Sequence, residues 1–411
     1  MNILLCNKFY RPFGGPETIL FDCAREFTAR GHNVIPFAMS HPDNVESPYS
    51  NYFVSNVDYN KKGSKSIKKL FKEAADLVYS KDARVQIEKL IAASHPDVAH
   101  AHNIYHQLSP SILVALKKAG VPTLLTFHDY KPLCANMNLL THGKLCEKCA
   151  GRRFYHAVRN KCVKDSYVNS MLCFIEETLH RWIGTYERNV DLFISPSRFL
   201  KDMLVKYGRI PERQIRVLPN YANTKSVVPN FTPGSYGLFV GKIETFKGVG
   251  TLIEAAKQLP DFEIRLAGRG PYLEECQAKV TDSGQQNVNF LGFQTGDNLF
   301  RQLEESRFVI VPSEWYENCP MVVLEALAAG KPVIASKIGG IPELVNHGTD
   351  GLLFEPGNVD ELAQCMKTLI DDPDKASEMG LAGRKKVEQH YSIENYISST
   401  LNLYTELINR K

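Results

Sequence analysis

Short apolar runs alternate with stretches of helical periodicity through the first half of the chain. The predicted strands are Ile3–Cys6, Asn33–Ala38, Asp97–Ala101 and Pro122–Phe127. The predicted helices include Glu17–Arg30, which Gly31 ends, and residues 109–120. Because the strands are almost continuously apolar, the order strand, helix, strand predicts a parallel sheet covered by helices on both faces.

The second half of the chain repeats this rhythm. Six further apolar runs predict strands, namely YGLFVGKI, FEIRLAG, VNFLGF, FVIVPS, PVIAS and GLLF. Residues 220–235 are rich in Pro, Asn, Thr and Ser and lack periodicity, which is typical of a linker. The pattern therefore predicts an α/β protein with two domains, residues 1–222 and 223–387, and a last helix from Ile393 to Lys411.

Composition changes this picture little. The 411 residues are 44% hydrophobic and 23% charged, as in ordinary globular enzymes, and a net charge of +4 is too small to indicate a nucleic-acid partner by itself. No apolar run of about 18 residues predicts a membrane-spanning helix. The N-terminal MNILLCNKFY lacks the pattern of a secretory signal, so we expect a cytoplasmic protein.

Residues 61–77 combine five lysines before Leu70 with apolar positions at helical spacing. The apolar positions are Ile67, Leu70, Phe71, Ala74 and Leu77. A basic amphipathic helix of this kind can lie on an anionic membrane surface. It can also be a solvated helix whose apolar face packs on its own domain. Peripheral contact with an anionic membrane is therefore one of two open interpretations.

Two glutamates with seven residues between them follow the predicted strand FVIVPS. Glu317 lies at the carboxyl end of the strand, where open α/β sheets bind ligands, and Glu325 lies about two turns into the next helix. The residues at the predicted helix start are Asn318, Cys319, Pro320, Met321 and Val322, and the backbone N–H groups there, which Pro320 lacks, suit hydroxyls and anionic oxygens. Alternatively, Glu317 is a plain helix-start acid and Glu325 a surface residue. Against that, Glu325 lies in the otherwise apolar VVLEALAAG, where an unpaired carboxylate is costly.

Two glycine-containing turns are candidate phosphate sites. The loop Gly241–Gly248 carries Lys242 and Lys247 directly after a strand, and two cations there can neutralise a diphosphate without a metal. Gly14 and Gly15, between the first strand and the first helix, let the backbone approach a phosphate closely. Solvated lysines and an ordinary turn are the alternative interpretations.

Histidines follow two of the predicted strands. His128 and Asp129 come after Pro122–Phe127, and His102 and Asn103 come after Asp97–Ala101. A histidine at a carboxyl edge can hydrogen-bond a sugar hydroxyl or hold a developing charge. His102, Asn103 and Asp129 are candidate acceptor contacts. Each histidine can instead be a structural one with its hydrogen bonds satisfied.

Four of the ten cysteines cluster in LCANMNLLTHGKLCEKCAGRRFYHAVRNKCV, and they are Cys134, Cys146, Cys149 and Cys162. Two-residue spacing lets a pair of thiolates grip one ion, and four thiolates make a closed zinc site. An iron–sulfur cluster or reduced thiols without metal are the alternatives. The scattered cysteines, Cys6, Cys23, Cys173, Cys276, Cys319 and Cys365, are most simply small buried apolar residues.

Taken in order, a series of motifs resembles glycosyltransferase family 4, a family of retaining enzymes with the GT-B architecture. The motifs are PFGGPE, HAHN, FHDY, ISPS, VLPN, GKIETFKG, ENCPMVVLEALAAGKPVIAS and GGIPELV. The resemblance implies two Rossmann-like domains facing across a cleft, the first for the acceptor and the second for the nucleotide-sugar donor. It also implies that the cysteine-rich stretch at about 134–162 is an insertion in the first domain, and that a C-terminal helix within 388–411 returns to that domain.

The resemblance also implies roles for single residues. Glu317 would bind hydroxyls of the donor sugar, Glu325 the ribose, and Lys247 the diphosphate. Gly15 would contact the diphosphate from the opposite domain, and His128 would lie beside the donor sugar. His128, Lys247 and Glu317 are thus the candidate catalytic residues.

Some positions depart from or extend the family's pattern. Lys242 stands where arginine is common, and lysine lacks the bidentate fork of arginine. Asn318 and Cys319 stand where Phe-Gly is frequent, which leaves the shape of the sugar pocket open. Three residues on the next strand edge are expected to line the same cleft, namely Gly339, Gly340 and Glu343.

The resemblance implies sugar transfer with retention of configuration from a nucleoside diphosphate, and we expect a glycan or lipid-linked acceptor. The lack of a targeting signal together with the basic amphipathic segment favours assembly of a surface polysaccharide at the cytoplasmic face of a membrane. The acceptor hydroxyl would attack on the face that the diphosphate leaves, with Lys242 and Lys247 stabilising the departing charge and neither glutamate acting as a nucleophile. UDP is favoured over GDP by family prevalence alone. No cofactor is expected for the chemistry, whereas a structural zinc ion is expected at the clustered cysteines. The alternatives are a nucleotide-sugar epimerase, or a nucleotide-sugar-binding or zinc-finger-type nucleic-acid-binding protein without transferase activity.

Overall fold

A computed structural model describes residues 1–12, 14–56 and 75–410. In these ranges the chain forms two six-stranded parallel sheets and one two-stranded antiparallel ribbon, with helices packed on the sheets. No helix within the described ranges is both long enough and apolar enough to cross a lipid bilayer.

The first sheet has the strand order β2-β1-β3-β4-β7-β8. Its strands are β1 (Asn2–Cys6), β2 (Asn33–Phe37), β3 (Val98–Ala101), β4 (Thr123–Thr126), β7 (Leu192–Ser195) and β8 (Ile215–Val217). Leu4 on the central β1 lies opposite Ile35 on one side and Ala99 on the other. All three side chains are buried or nearly so, which is why apolar residues run without alternation along these strands.

The helices of the first half cover this sheet. They are Gly15–Ala29, Lys81–Ser94, Ser111–Lys118, Tyr155–Arg159, Tyr167–Ile183, Thr185–Asn189 and Arg198–Met203, with a π-helical turn at Leu204–Gly208 and 3₁₀ turns at Ser50–Tyr52 and Glu212–Gln214. The first helix begins at Gly15, two residues before the predicted start, because Pro16 is well placed in a first helical turn. It buries Ile19, Cys23 and Phe27, which are four residues apart and therefore share one face.

The second sheet repeats the design with the order β11-β10-β9-β12-β13-β14. Its strands are β9 (Tyr236–Val240), β10 (Glu263–Ala267), β11 (Val288–Gly292), β12 (Phe308–Val311), β13 (Val333–Ser336) and β14 (Gly351–Phe354). Its helices are Val249–Ala256, Leu273–Asp282, Gly296–Glu305, Met321–Ala328, Ile341–Leu344, Val359–Asp371 and Pro373–His390, with a 3₁₀ turn at Thr245–Lys247. The prediction of two Rossmann-like sheets is confirmed.

The last helix, Ile393–Ile408, returns to the first sheet, as predicted. Its residues Tyr396, Ile397 and Tyr404 join the apolar cluster around Ile3 and Leu5 on β1. The Tyr404 hydroxyl lies 2.7 Å from Nδ1 of the buried His100 on β3. The last helix therefore packs into the apolar core of the first domain.

The cysteine-rich stretch lies between β4 and β7. It contains the ribbon β5 (Leu140–Thr141) and β6 (Lys144–Leu145) and the short helix Tyr155–Arg159. It contacts the second domain at two points. The Trp315 indole donates to the carbonyl of Asn138 at 2.5 Å, and the Tyr316 hydroxyl donates to the Glu147 carboxylate at 2.7 Å.

Candidate active site

Two loops of the second sheet form a tightly packed platform at its carboxyl edge. The loop Gly241–Gly248 follows β9, and residues 312–317 follow β12. Gly248 has a φ of +71°, and a Cβ there would lie only 1.8 Å from the Pro312 carbonyl oxygen. Only glycine permits this approach without strain, so the last residue of the first loop positions it against the second.

Lys247 and Glu317 form an ion pair on this platform. Nζ of Lys247 lies 2.6 Å from Oε1 of Glu317, and the Ser313 hydroxyl donates to the same oxygen at 2.6 Å. Glu317 is only 6% exposed. Oε2 of Glu317 receives no hydrogen bond from the described residues. One carboxylate oxygen is thus held by the protein, and the other remains available to a ligand.

Trp315 flanks this ion pair. Nζ of Lys247 lies 5.0 Å from the centroid of the Trp315 ring, within cation–π range. The ring also meets Phe246 edge-on at 5.5 Å and Tyr130 at 6.3 Å. Neither Trp315 nor Ser313 was identified from the sequence as a site residue, although both lie within four residues of Glu317 in the chain.

Gly339 and Gly340 support the backbone beside Glu317. A Cβ at Gly339, whose φ is +59°, would lie 2.3 Å from the Glu317 carbonyl oxygen, and one at Gly340 would lie 1.9 Å from that of Asn318. The Gly340 N–H donates to the Glu317 carbonyl at 2.7 Å. Both glycines contact protein backbone, so they act by shaping the platform.

Glu325 and Lys242 are predicted to bind the sugar donor, and neither side chain has a hydrogen-bond or ion-pair partner in the described chain. Glu325 lies on the helix Met321–Ala328, and its half-buried carboxylate has no hydrogen bond or ion pair with any described residue. Burial raises the pKa of Glu325. The Lys242 side chain is exposed at the start of the glycine-bounded loop. An unpaired buried carboxylate is costly, which is typical of a group that binds a ligand.

A stack of three histidines lies at the carboxyl edge of the first sheet. The rings of His100 and His102 stack at 4.3 Å, and those of His102 and His128 at 5.2 Å. His102 Nδ1 lies 2.9 Å from His128 Nε2, so one of the two nitrogens donates to the other. The inner end of the stack is fixed, because His100 hydrogen-bonds the hydroxyls of Tyr404 and Thr126, each at 2.7 Å.

Burial keeps these histidines neutral. It lowers the pKa of His100 to about 3 and that of His128 to about 4, and it also lowers the pKa of His102 well below its ordinary value. His102 is fully buried and His128 half-buried. Any effect of His102 on an acceptor would therefore be indirect, through the orientation of His128.

Asp129 and Lys8 add charge beside the stack. Burial raises the pKa of Asp129 to about 6, against the opposing effects of the Lys131 N–H, 2.9 Å from Oδ1, and of the Lys131 and Lys8 charges. Lys8 follows β1 directly, and burial lowers its pKa while Glu17 and Asp129 act to raise it. Lys8 was not identified from the sequence. Its position just after a strand is the same signal that identified Lys242.

Asn103 and the glycine turn complete this edge. The Asn103 N–H donates to Asn7 Oδ1 at 3.1 Å, and its carbonyl accepts the Lys8 N–H at 2.8 Å. Gly14 and Gly15 are exposed at the start of the first helix, and a Cβ at Gly15 would have no protein atom within 4 Å. This open space lies in front of a helix N-terminus and leaves room for a phosphate, whose contact here stays a prediction.

Asn318, Cys319 and Glu343 lie where the two domains meet. The Ser197 hydroxyl donates to Asn318 Oδ1 at 2.6 Å. The Asn220 side-chain amide donates to the Cys319 carbonyl at 2.9 Å, and the Cys319 thiol is buried. The Glu343 carboxylate accepts the N–H groups of Arg198 and Phe199, each at 2.7 Å.

The predicted ligand contacts at this junction stay predictions. Both Glu343 oxygens accept backbone N–H groups and so cap a helix of the opposite domain, and Glu343 also lines a cavity at the junction with Asn318 and Gly340. Asn318 and Cys319 bridge the domains. Pro320, Met321 and Val322 are half-buried at the start of the helix that carries Glu325, where their predicted donor contact stays a prediction.

The four clustered cysteines are free thiols that are only partly assembled. The Cys134 thiol donates to Asn136 Oδ1 at 2.9 Å, and its interaction with the Cys149 thiol lowers the pKa of Cys134 to about 7 and raises that of Cys149. Cys162 lies 3.5 Å from the Thr141 hydroxyl. Within the described chain, no group of three or more His, Cys, Asp or Glu side chains is arranged to hold a metal. The four-thiolate zinc site at Cys134, Cys146, Cys149 and Cys162 therefore stays a prediction.

Most of the basic amphipathic segment predicted at 61–77 falls in the range 57–74, outside the described residues. Only its last positions are described, and Leu77 among them is buried.

Comparisons with known proteins agree with this architecture. Residues 13–226 match the family model described as Glycosyltransferase Family 4, and residues 224–386 match the one described as Glycosyl transferases group 1. Two parallel Rossmann-like sheets with these motifs define the GT-B fold of glycosyltransferases. The chain belongs to glycosyltransferase family 4.

Curated relatives match mostly over part of their length. The chain is 32% identical over 219 residues to an uncharacterized glycosyltransferase of Methanocaldococcus jannaschii, which is 53% of this chain and 60% of that protein. It is 25% identical over 316 residues to the sulfoquinovosyl transferase of Arabidopsis thaliana, covering 73% of this chain but 55% of the plant protein. An uncharacterized protein in the cps region of Klebsiella pneumoniae is 23% identical over 359 residues, which is 84% of this chain and 87% of that protein. This chain thus spans little more than half the length of the first two relatives.

Solved structures show the same fold. Sucrose-phosphate synthase of Thermosynechococcus elongatus superposes with a TM-score of 0.71 at 19% identity, over 100% of both chains. HepE of Anabaena, solved in complex with UDP, has a TM-score of 0.70 at 19% identity, over 99% of this chain and 100% of that one. At this identity the likeness supports the GT-B fold alone.

Proposed function

We propose that the protein transfers a sugar from a nucleoside diphosphate to an acceptor hydroxyl, with retention of anomeric configuration. The observation that carries the proposal is the Lys247–Glu317 pair, with a 2.6 Å contact, at the carboxyl edge of the second sheet, where such folds bind ligands. Lys242 on the same loop and Glu325 on the helix that follows Glu317 supply a second cation and a second carboxylate without a side-chain partner in the described chain.

Each residue of the platform has a distinct task in this proposal. Glu317 presents Oε2 to hydroxyls of the donor sugar, because Oε1 is already bound by Lys247 and Ser313. Glu325 accepts hydrogen bonds from the ribose. A carboxylate that lacks a protein partner in the described chain can bind two vicinal hydroxyls without losing an internal contact.

Charge stabilisation drives the transfer. As the bond between sugar and diphosphate breaks, negative charge grows on the diphosphate, and Lys242, Lys247 and the backbone N–H groups at the start of Met321–Ala328 stabilise it. The acceptor hydroxyl attacks from the same face, and the departing phosphate oxygen takes its proton. The sugar passes through an oxocarbenium-like state, so neither glutamate forms a covalent bond.

The edge of the first sheet receives the acceptor. His128 is neutral and half-buried, so it can hydrogen-bond a hydroxyl without adding a charge near the cationic sugar. Asp129, whose pKa burial raises to about 6, and Asn103 lie beside it. Gly15 leaves open space for the diphosphate on the same side of the cleft. The acceptor that we propose is a glycan or a lipid-linked glycan of a surface polysaccharide, in keeping with the cps-region relative.

UDP is the nucleotide that we propose. The Anabaena neighbour has been solved with UDP and with UDP-glucose, and its fold covers this whole chain. No described residue by itself distinguishes uracil from guanine.

A structural zinc also remains part of the proposal. Cys134 and Cys149 are near enough to shift each other's pKa, and four thiolates brought together would hold zinc tightly. We expect one zinc per chain by elemental analysis. We also expect that Cys149→Ser loses the metal while the matched Cys365→Ser, far along the chain in the second domain, retains it. A metal-free wild-type protein purified without chelator would contradict this part.

Thermal stability against UDP, GDP, ADP and TDP tests the donor assignment. A ligand at about a hundred times its dissociation constant adds roughly 2.7 kcal/mol to a folded protein that alone binds it. We expect UDP to raise the melting temperature and the other nucleotides to raise it less. No shift with any nucleotide, in folded protein, would reject the donor site. Retention is tested separately, because NMR of the product with the active donor reveals whether the anomeric configuration is unchanged.

A further inference from the structure

The helix Tyr167–Ile183 turns its apolar face to solvent. The outward side chains, which we call the docking face, are Val168, Met171, Ile175, Leu179 and Trp182. They recur every three or four residues, so they form one continuous stripe. Trp182 is 83% exposed and Val168 is 63% exposed. Scattered exposed apolar residues are ordinary, whereas a contiguous stripe marks an interaction surface.

The opposite face of this helix is polar, and it is the buried one. Its buried side chains are Ser170, Cys173, Glu176, Glu177, His180 and Arg181. Nζ of the buried Lys131 lies 2.8 Å from Glu176 and 2.9 Å from Glu177. Arg181 donates to the Pro132 carbonyl at 2.6 Å and pairs with Glu187 at 2.9 Å. The helix is thus reversed relative to an ordinary surface helix.

These polar contacts lock the orientation of the helix. Rolling it to bury the apolar stripe would break the Lys131 pairs and leave buried charges unpaired, which is strongly unfavourable. The fold therefore holds an apolar stripe in water by means of specific ion pairs. Such an arrangement is expected only where another medium or molecule covers the stripe.

A basic rim adjoins the docking face. Residues 148–168 contain six Lys or Arg residues and a single acid, Asp165. Lys148, Arg152, Arg153 and Arg159 are exposed and form no salt bridge with any described residue. Desolvation lowers the pKa of His156, and the nearby charges of Arg153, Lys148 and Arg159 lower it further, so these cations lie close together.

Aromatic side chains lie between the rim and the stripe. Tyr155 and Tyr167 are exposed, and Nζ of Lys161 lies 4.7 Å from the centroid of the Tyr167 ring. Tyrosine and tryptophan prefer the boundary between water and hydrocarbon, where one end of the ring is wet and the other apolar.

We propose that the docking face and its basic rim bind the surface of an anionic lipid bilayer. The apolar stripe would enter the boundary between headgroups and acyl chains, while the arginines and lysines contact anionic headgroups. A second copy of the chain fits this surface poorly. Self-association through the stripe would bring two basic rims together, and like charges across an interface are repulsive.

The position of the surface connects it to the acceptor side of the cleft. Lys131, which holds the helix through Glu176, also donates its N–H to Asp129 at the carboxyl edge of the first sheet. A bilayer bound to this helix would bring a lipid-linked acceptor toward that edge. This link alone rests on the proposed function, since bilayer binding itself is measured without any turnover.

Co-sedimentation of the full chain with vesicles tests the proposal. We expect binding to phosphatidylcholine vesicles that contain 30% phosphatidylglycerol, and at least tenfold weaker binding to pure phosphatidylcholine. Ile175→Ser/Trp182→Ser should weaken binding at least tenfold, as should Arg152→Glu/Arg153→Glu. The matched controls on the other half of the chain, Val228→Ser/Leu381→Ser and Arg301→Glu/Lys385→Glu, should bind like wild type.

Tryptophan fluorescence supplies a second readout, because the chain has only two tryptophans. In Trp315→Phe protein the remaining Trp182 should shift its emission to shorter wavelength when anionic vesicles are added. An unchanged spectrum in protein that sediments with vesicles would overturn insertion of the docking face.

Three other outcomes would also overturn the proposal. The first is wild-type protein that does not sediment with anionic vesicles at low salt. The second is loss of binding through Lys65→Glu/Lys68→Glu/Lys69→Glu but not through the docking-face variants, which would assign membrane contact to the segment at 61–77. The third is a dimer, measured by light scattering, that Ile175→Ser/Trp182→Ser dissociates, which would make the face a self-interface.

Discussion

The carboxyl edges of the two sheets carry opposite kinds of polar chemistry. On the second sheet, Lys247 and Glu317 form a charged pair, with Lys242 and Glu325 beside them. On the first, the stacked histidines His100, His102 and His128 are kept neutral by burial. The same fold, used twice, thus provides one edge suited to an anionic diphosphate and one suited to neutral hydroxyls.

The difference arises because different contacts within the protein fix the polar groups at each edge. The histidine stack is fixed from below by Tyr404, which the C-terminal helix brings into the first domain. The charged pair is fixed by close backbone packing at glycines, including Gly248 against Pro312. A charge near the surface keeps part of its hydration, whereas a stack in the core must be uncharged.

The largest expected effect comes from removing the cation of the charged edge. Lys247→Gln should lower kcat about a hundred- to a thousandfold, because one preorganised group that stabilises leaving-group charge contributes on that scale. Initial rates of nucleotide release measure it. Lys385→Gln, an exposed lysine on the same domain, is the control, and Lys247→Arg should recover part of the rate. A rate for Lys247→Gln within threefold of wild type would show that the charged edge does not stabilise the leaving diphosphate through Lys247.

Next in size is the effect of the unpartnered carboxylate. Glu325→Gln keeps the size of the side chain but should weaken nucleotide binding about ten- to a hundredfold, since hydrogen bonds to a charged group contribute about 1.5–3 kcal/mol. Calorimetric titration with UDP measures it. The substitution Glu274→Gln, at an exposed position, serves as control. An unchanged affinity for UDP in Glu325→Gln would show that Glu325 does not bind the ribose.

The neutral edge should show itself in the pH dependence of stability. The folded pKa of His100, about 3, lies below its unfolded value, so the unfolded chain takes up more protons as the pH falls. The stability from this group is complete above pH about 6.5 and is lost progressively below it, by about 2 kcal/mol between pH 7 and pH 5. His100→Asn should flatten the curve of unfolding free energy against pH by that amount, whereas the exposed His390→Asn should not. Urea denaturation across this range measures it, and equal slopes would contradict a neutral stack.

The smallest effect tests the anchor below the stack. Tyr404→Phe removes the hydroxyl 2.7 Å from His100 Nδ1 and should cost about 1 kcal/mol of unfolding free energy at pH 7. The exposed Tyr155→Phe is the matched control. Urea denaturation that found the two variants equally stable would show that the C-terminal helix holds the stack by packing alone.

Much of the site followed from residue type and position after a strand. Glu317, Lys247, His128 and Glu325 were all identified because polar residues there interrupt apolar runs at carboxyl edges. Lys8 met the same criterion and was missed. The reversed helix Tyr167–Ile183 was also missed, because apolar periodicity reveals that a helix has an apolar face but not which way that face turns.

The sequence by itself determined the two-sheet architecture, the order of the elements and the motifs at the sheet edges, because strand and helix periods are local properties of the chain. Tertiary structure alone decided which candidates are held by distant parts of the protein. Glu343 binds backbone N–H groups at the domain junction, and His102 is buried behind His128. The apolar stripe faces solvent because ion pairs to Lys131 hold the opposite face of its helix. These outcomes depend on contacts between residues far apart in the chain, and local patterns do not specify such contacts.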